Sequence, residues 1–294
     1  MQFLPRKQVL TLEELAQVGR VFARLGVKKI RLTGGEPLVR KNIIQLFNEL
    51  GAMDSLEELT LTTNGSQLIT MAEPLRTAGV KRINISLDSL NAERFHNITR
   101  TGDLDTVLKG IQAAKAAGFE RIKLNAVILK GRNDDEILPL VDYVVENGLD
   151  ISFIEEMPLG HIDEHDRQEA YMSSDQVREV IEQKYTISSS KATSAGPSKY
   201  FSIDGTSSRL GFISPHSHNF CGDCNRVRVT VEGRLLLCLG NEHSVDLKEV
   251  IRSYPGDDDR LAQTIIDAMD LKPERHHFDL SDTQIVRFMN MTGG

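Results

Sequence analysis

The sequence predicts an α/β protein built on a full or partial (β/α) barrel, with a smaller cysteine-bearing region towards its C-terminal end. Three observations carry this. Short apolar strands alternate with amphipathic helices at roughly 25 to 40 residues per unit, the pattern of parallel strands joined by helical crossovers. Five such units follow one another with polar residues at their strand ends, where a barrel collects its chemistry; a doubly wound open sheet is the second reading. All three cysteines fall late, between residues 220 and 240.

The elements follow in order. Thr11-Leu-Glu-Glu is a capping box, with Thr11 as N-cap and Glu14 as its reciprocal partner. The helix it opens ends near Gly26. A strand with Ile30 and Leu32 runs into Thr33-Gly34-Gly35-Glu36-Pro37, and the next helix spans about Asn42 to Leu50. A strand near Leu59 to Thr62 ends in Thr63-Asn64-Gly65, and its helix reaches about Ala78. The strand Arg82 to Leu87 ends in Asp88-Ser89, before helices near Ala92 to Ile98 and Leu104 to Ala117. Arg121 to Ile128 is the fourth strand, followed by a helix near Asp134 to Glu146. Asp150 to Glu155 is the fifth, ending at Glu156-Met157-Pro158. Arg31, Asn84 and Lys123 interrupt these strands. Lys123 alternates with Ile122 and Leu124, so it points away from them. A polar side chain on the inner face must find a partner or line a site.

Beyond residue 160 the pattern loosens. An irregular stretch from His161 to Asp166 precedes a helix near Ser174 to Lys184. Ser188-Ser-Ser-Lys and Ala195-Gly-Pro-Ser read as a connection. Short strands at Tyr200 to Ile203 and Arg209 to Ile213 lead to the cysteine stretch. Helices near Leu247 to Arg252 and Arg260 to Met269 follow, then a tail ending in Gly293-Gly294.

Composition narrows the function. A net charge of −7 excludes broad binding to a nucleic-acid backbone, though not one anion held by a local basic cluster. No apolar run reaches the ~18 residues of a membrane span, and MQFLPRKQVL lacks the apolar centre of a signal peptide. Few cysteines and no export signal point to a reducing cytoplasm.

The stretch Phe220 to Gly240 reads FCGDCNRVRVTVEGRLLLCLG. Cys221 and Cys224 form a C-x2-C pair, and Cys238 follows after thirteen residues. The alternation RVRVTV, a break at Glu232-Gly233, and RLLLCL read as a β-hairpin that returns Cys238 to the pair, so that three thiolates point at one spot. Such a set suits zinc, with a fourth ligand from His216, His218 or His243, or a [4Fe-4S] cluster whose fourth iron stays open as a Lewis acid. Arg226 and Arg228 share one face of the first strand, where their charge suits an anion.

Taken together, FLPRKQVLTLEEL, RLTGGEPLVRKN, TTNG, INISLDSL, GFERIKLNAVILKGRND, FIEEMPLG, the cysteine hairpin and the terminal double glycine resemble the GTP 3′,8-cyclases of molybdenum-cofactor biosynthesis, a radical S-adenosylmethionine family. The resemblance runs the length of the chain. It implies an incomplete (β/α)6 TIM-like barrel over residues 1–160 and a C-terminal Fe–S-binding region over 161–294. Cys221, Cys224 and Cys238 match the ligands of a [4Fe-4S] cluster whose open iron holds guanine. Arg31, Thr62, Lys123, Arg226 and Arg228 match contacts to GTP; Gly35, Ser86 and Met157 match contacts to S-adenosylmethionine. The resemblance further implies a 5′-deoxyadenosyl radical that abstracts the ribose 3′ hydrogen before C3′ joins C8. It also implies a homodimer, a product passed to cyclic pyranopterin monophosphate synthase, and a double-glycine tail inserted towards the site.

One motif departs. The family holds a second, electron-donating [4Fe-4S] cluster on a C-x3-C-x2-C loop after its first strand, and no cysteines remain here to form it. The expectation is an N-terminally truncated cyclase that lacks that first strand, leaves an open edge beside the strand of Arg31, and does not itself cleave S-adenosylmethionine. The alternatives are a non-catalytic protein that binds GTP and one cluster, or a zinc-binding module.

Overall fold

The structure, a computed structural model, describes residues 4–160, 165–190, 196–240 and 243–274. The predicted capping box forms: Thr11 Oγ1 accepts from Glu14 N, and Glu14 Oε2 accepts from Thr11 N at 2.7 Å. It opens α1 (Leu12–Arg24). The alternating units are then β1 (Lys29–Leu32), α2 (Ile43–Gly51), β2 (Glu58–Thr63), α3 (Leu68–Thr77), β3 (Val80–Ser86), α4 (Ala92–Thr99), α5 (Leu104–Ala117), β4 (Arg121–Val127), α6 (Ile137–Asn147) and β5 (Asp150–Ile154). A 3-10 turn, Asp134–Glu136, occupies the start of the helix predicted before α6.

The C-terminal part continues with α7 (Arg167–Ala170), α8 (Ser174–Glu182), β6 (Ile187–Ser189), β7 (Lys199–Ile203) and β8 (Arg209–Ile213). The cysteine hairpin supplies β9 (Arg228–Val229) and β10 (Arg234–Leu236), followed by β11 (Ser244–Asp246), α9 (Leu247–Ser253) and α10 (Asp258–Met269). β6 replaces the connection expected around Ser188. It pairs antiparallel with β7, Ile187 opposite Ile203. Three mostly polar residues held by main-chain bonds leave no side-chain period to read.

One eight-stranded sheet runs β1-β2-β3-β4-β5-β8-β7-β6. β1 to β5 and β8 are parallel, and β7 and β6 run against them. Among the described residues β1 pairs only with β2, so Arg31 lies on an edge strand. Apolar residues of the parallel strands, such as Leu61, Ile83, Leu124 and Ile151, are buried in one core with Phe47, Leu75, Ile111 and Val144 of the crossover helices. Alternation turns the polar residues of the same strands to the opposite face, as β4 shows: Ile122, Leu124 and Ala126 are buried while the residues between them are not.

A second core joins the start of the described chain to the hairpin region, α9 and α10. Leu10, Val18, Val21 and Phe22 pack with Leu235 and Leu237 of the hairpin region and with Leu247, Ile251, Leu261 and Ile265 of α9 and α10. No helix among the described residues is long and apolar enough to cross a membrane. Gly293-Gly294 and residues 161–164 lie outside the described residues.

Candidate active site

The unburied faces of β1, β3 and β4, the end of β5 and the cysteine hairpin line one cavity of about 690 Å³. Each strand contributes by alternation. β3 presents Arg82, Asn84 and Ser86 between buried apolar neighbours, and β4 presents Arg121, Lys123, Asn125 and Val127. β1 adds Arg31, the loop after β5 adds Met157, and the hairpin adds Arg226 and Arg228 with all three cysteines.

The cations divide into two groups. Some are answered by carboxylates. Glu58 takes Arg82, at 2.5 Å to Nε and 2.9 Å to Nη2. Asp150 takes Arg209 at 2.6 Å and Arg121 at 3.5 Å. Arg31, Lys123, Arg226 and Arg228 have no carboxylate partner among the described residues. Arg31 donates from Nε only to Thr60 Oγ1 at 3.3 Å. Lys123 Nζ donates to Tyr200 Oη at 3.4 Å and lies 5.8 Å from the centre of that ring. Arg226 stacks over Phe220 at 5.4 Å, with Nη2 3.9 Å from Cys224 Sγ.

This second group is electrostatically uncomfortable. Burial pulls the Lys123 ammonium below its ordinary value, and Arg31 and Arg82 add repulsion that Tyr200 only partly offsets. Burial also lowers Arg31, aided by Arg82 and Arg226. Arg31 keeps solvent-accessible surface because it faces the open cavity, yet protein crowds it on its other sides. Arg228 is pushed down to about 10 by burial and by Arg226. Crowded on one wall, these cations repel one another, so the arrangement is relieved by a polyanion.

The three sulfurs feel one another. Burial pushes the Cys238 thiol up and Cys221 and Cys224 add to it, against the Gly240 backbone and Lys272. Burial also raises Cys224, but the Arg226 backbone, the Arg226 guanidinium and Lys272 outweigh it and hold that thiol below its ordinary value. Among the described residues, however, no three His, Cys, Asp or Glu side chains stand so as to hold one metal ion. The thiols therefore share a wall without the common focus expected from the sequence. A single zinc ion needs every sulfur at about 2.3 Å; a cluster takes each thiolate on a different iron, so its ligands stand apart. Two of the three histidines weighed as a fourth ligand are engaged elsewhere: His216 Nε2 lies 2.9 Å from the Glu156 carbonyl, and His218 Nε2 lies 3.0 Å from Asp175.

Of the residues named from the sequence, Arg31, Ser86, Lys123, Met157, Cys221, Cys224, Arg226, Arg228 and Cys238 line the cavity. Thr62 is buried and off the lining, on the neighbouring strand, with Oγ1 accepting from Asn84 Nδ2 at 3.4 Å. Gly35 lies off the wall, beside Glu36, whose carboxylate accepts from Leu38 N, Thr63 Oγ1 and Asn64 N and so ties the GGEP turn to the TTNG loop. Burial raises the Glu36 carboxyl against those three bonds.

Residues 2–144 match the Radical SAM superfamily, and residues 149–278 match Molybdenum Cofactor Synthesis C. Over 295 residues the chain is 60% identical to the GTP 3′,8-cyclase of Ectopseudomonas mendocina (strain ymp), all of this chain matching 89% of that protein. The GTP 3′,8-cyclase of Pseudomonas entomophila (strain L48) is 62% identical over 296 residues, with the same coverage. The chain belongs to the GTP 3′,8-cyclase family. Its fold is also shared more distantly. Streptococcus suis SuiB bound to S-adenosylmethionine superposes with a TM-score of 0.57 at 17% identity, covering 84% of this chain and 59% of SuiB. Among the cavity residues of this cyclase-family chain that sequence reasoning did not single out are Arg82, Tyr200, Arg209 and Lys272. Arg82 and Arg209 carried the signal of Lys123, a cation inside or opening a strand. Tyr200 and Lys272 carried none.

Proposed function

We propose that this cavity is the GTP site of a GTP 3′,8-cyclase. The family's reaction converts GTP to (8S)-3′,8-cyclo-7,8-dihydroguanosine 5′-triphosphate, a radical S-adenosylmethionine lyase reaction that opens molybdenum-cofactor biosynthesis. The observation that carries the reading is a set of four mutually repelling cations, with no carboxylate partner among the described residues, sharing a wall with three thiols in a chain whose net charge is −7.

The roles follow from the chemistry of each group. Arg31, Lys123, Arg226 and Arg228 bind the triphosphate, guanidinium forks and an ammonium suiting its oxygens. Thr62 supports them through Asn84. Cys221, Cys224 and Cys238 fit a [4Fe-4S] cluster, being three soft donors with cations beside them. Bound there, the cluster supplies an open iron corner able to polarise the guanine base. Ser86 and Met157 face S-adenosylmethionine, with Gly35 at the turn beyond. Asn125 stands opposite Ser86 across β3 and β4, and its Oδ1 is buried with no hydrogen-bond partner, an acceptor suited to a hydroxyl or ammonium of that ligand. An electron-donating second cluster does not fit the residues present, since the only cysteines are the three at the hairpin.

The wider reading is a sheet belonging to an incomplete (β/α)6 barrel over residues 1–160, with a cluster-binding region over 161–294. The two family matches, which part between residues 144 and 149, support that division. A cytoplasmic homodimer that passes its product to cyclic pyranopterin monophosphate synthase completes it.

The test is spectroscopic. After anaerobic reconstitution, the reduced chain is expected to show an iron signal that changes when GTP is added. Lys123→Ala or Arg226→Ala is expected to weaken GTP binding by about 1.5–3 kcal/mol. An iron signal indifferent to GTP, or stoichiometric zinc without iron, overturns the reading.

A further inference from the structure

Lys272 follows α10 and reaches into the cavity wall from outside the hairpin. Its Nζ donates to Leu237 O at 2.7 Å and to Arg226 O at 3.1 Å. Leu237 immediately precedes Cys238, and Arg226 is two residues past Cys224. One ammonium thus ties together the two chain segments that carry these cysteines. No carboxylate neutralises it among the described residues. The second core fixes its base, because Leu261, Ile265 and Ala268 of α10 are buried against α1 and the hairpin region.

We propose that Lys272 is a positioning residue for the C-terminal cluster. It clamps the two cysteine-bearing segments and, by its unneutralised charge, raises the cluster's reduction potential. This rests on the reading of the three cysteines as cluster ligands. A cation held near a cluster stabilises the reduced form, which carries one more negative charge, so the couple moves to higher potential. A backbone clamp next to two ligands also fixes their separation, as outer-shell partners do at other metal sites.

Three substitutions separate charge from tether. Lys272→Gln can keep a donor to a carbonyl without the charge; Lys272→Arg keeps both; Lys272→Met removes both. The chain is reconstituted with iron anaerobically, its fold checked by far-UV circular dichroism, its midpoint potential read by EPR-monitored titration, and its iron loss to a chelator timed. Lys272→Gln is expected to load iron and titrate at a more negative potential than the parent, and Lys272→Arg to match the parent. Lys272→Met is expected to lose iron about tenfold faster. A folded Lys272→Gln that fails to load iron while Lys272→Arg loads it normally also supports the clamp. Parent-like potential and iron loss in both Lys272→Gln and Lys272→Met overturn the proposal. So does a Lys272→Arg displaced as far as Lys272→Gln, and this arm decides the matter if Lys272→Met does not fold. A parent chain that takes up no iron removes the cluster reading itself, a distinct result.

Discussion

Asp88 shows how much a single position at a strand end can reveal. It follows β3, lines the cavity, and accepts one hydrogen bond, from Val127 N at 2.7 Å. Burial lifts its carboxyl from 3.8 to about 6, and the one N–H only tempers the rise. A carboxyl raised on folding adds stability that is complete below pH 3.8 and lost as the pH passes 6. Asp88→Asn keeps an acceptor for Val127 and does not titrate. The variant is therefore expected to match the parent near pH 4 and to exceed it by about 1–2 kcal/mol at pH 7, less than the full linkage value because the cavity admits water. Urea midpoints across that range check it; parallel curves refute it. The sequence placed Asp88 at a strand end. It could not show the desolvation, which comes from elements brought round it.

The cysteine hairpin is legible at the level of the element. Alternation and the Glu232-Gly233 break predict β9 and β10, and they pair antiparallel with Leu235 opposite Val229. Gly233 N donates to Thr230 O at 2.9 Å, and Gly233 takes φ +81°, a turn that ends in a left-handed residue. A Cβ there would come within 2.6 Å of Lys248 Cβ and 3.0 Å of Lys248 N, so both backbone and space call for glycine. Gly233→Ala is expected to lower stability by about 1–3 kcal/mol and to reduce iron uptake with it. Thermal melts and iron content measure this, and an unchanged melting temperature contradicts it. What the pattern could not give is the spacing of the sulfurs: alternation gives the face a residue occupies, not the distance at which three loops and strands hold their thiols. Local period made Lys123 and Arg228 visible in the same way. Thr62 and Gly35 were named by resemblance, and neither lines the cavity.

At the scale of the whole molecule, α1 and the segment before it form one unit with the hairpin region, α9 and α10 that no local pattern announces. Leu10 N donates to Val231 O at 2.8 Å, across the hairpin turn. Arg252 donates to the Lys7 and Val9 carbonyls and pairs with Glu14 in the capping box of α1. Beneath them Leu261, 1% exposed, sits among residues of α1, β10, α9 and α10. An amphipathic helix such as α1 does not name its partner, and these partners are more than 200 residues apart. The second core therefore couples α1 to the cysteine hairpin, while β2 to β5 are held by the separate sheet core. Leu261→Ala leaves a cavity there and is expected to cost about 2–5 kcal/mol. Amide exchange should quicken together in α1, α10 and residues 228–237, and remain slow in β2 to β5. Equal quickening throughout would mean that the two cores open as one. Quickening confined to α10 would mean that the hairpin stands on its own bonds, and the support of the cysteine wall would then have to be sought in the sheet.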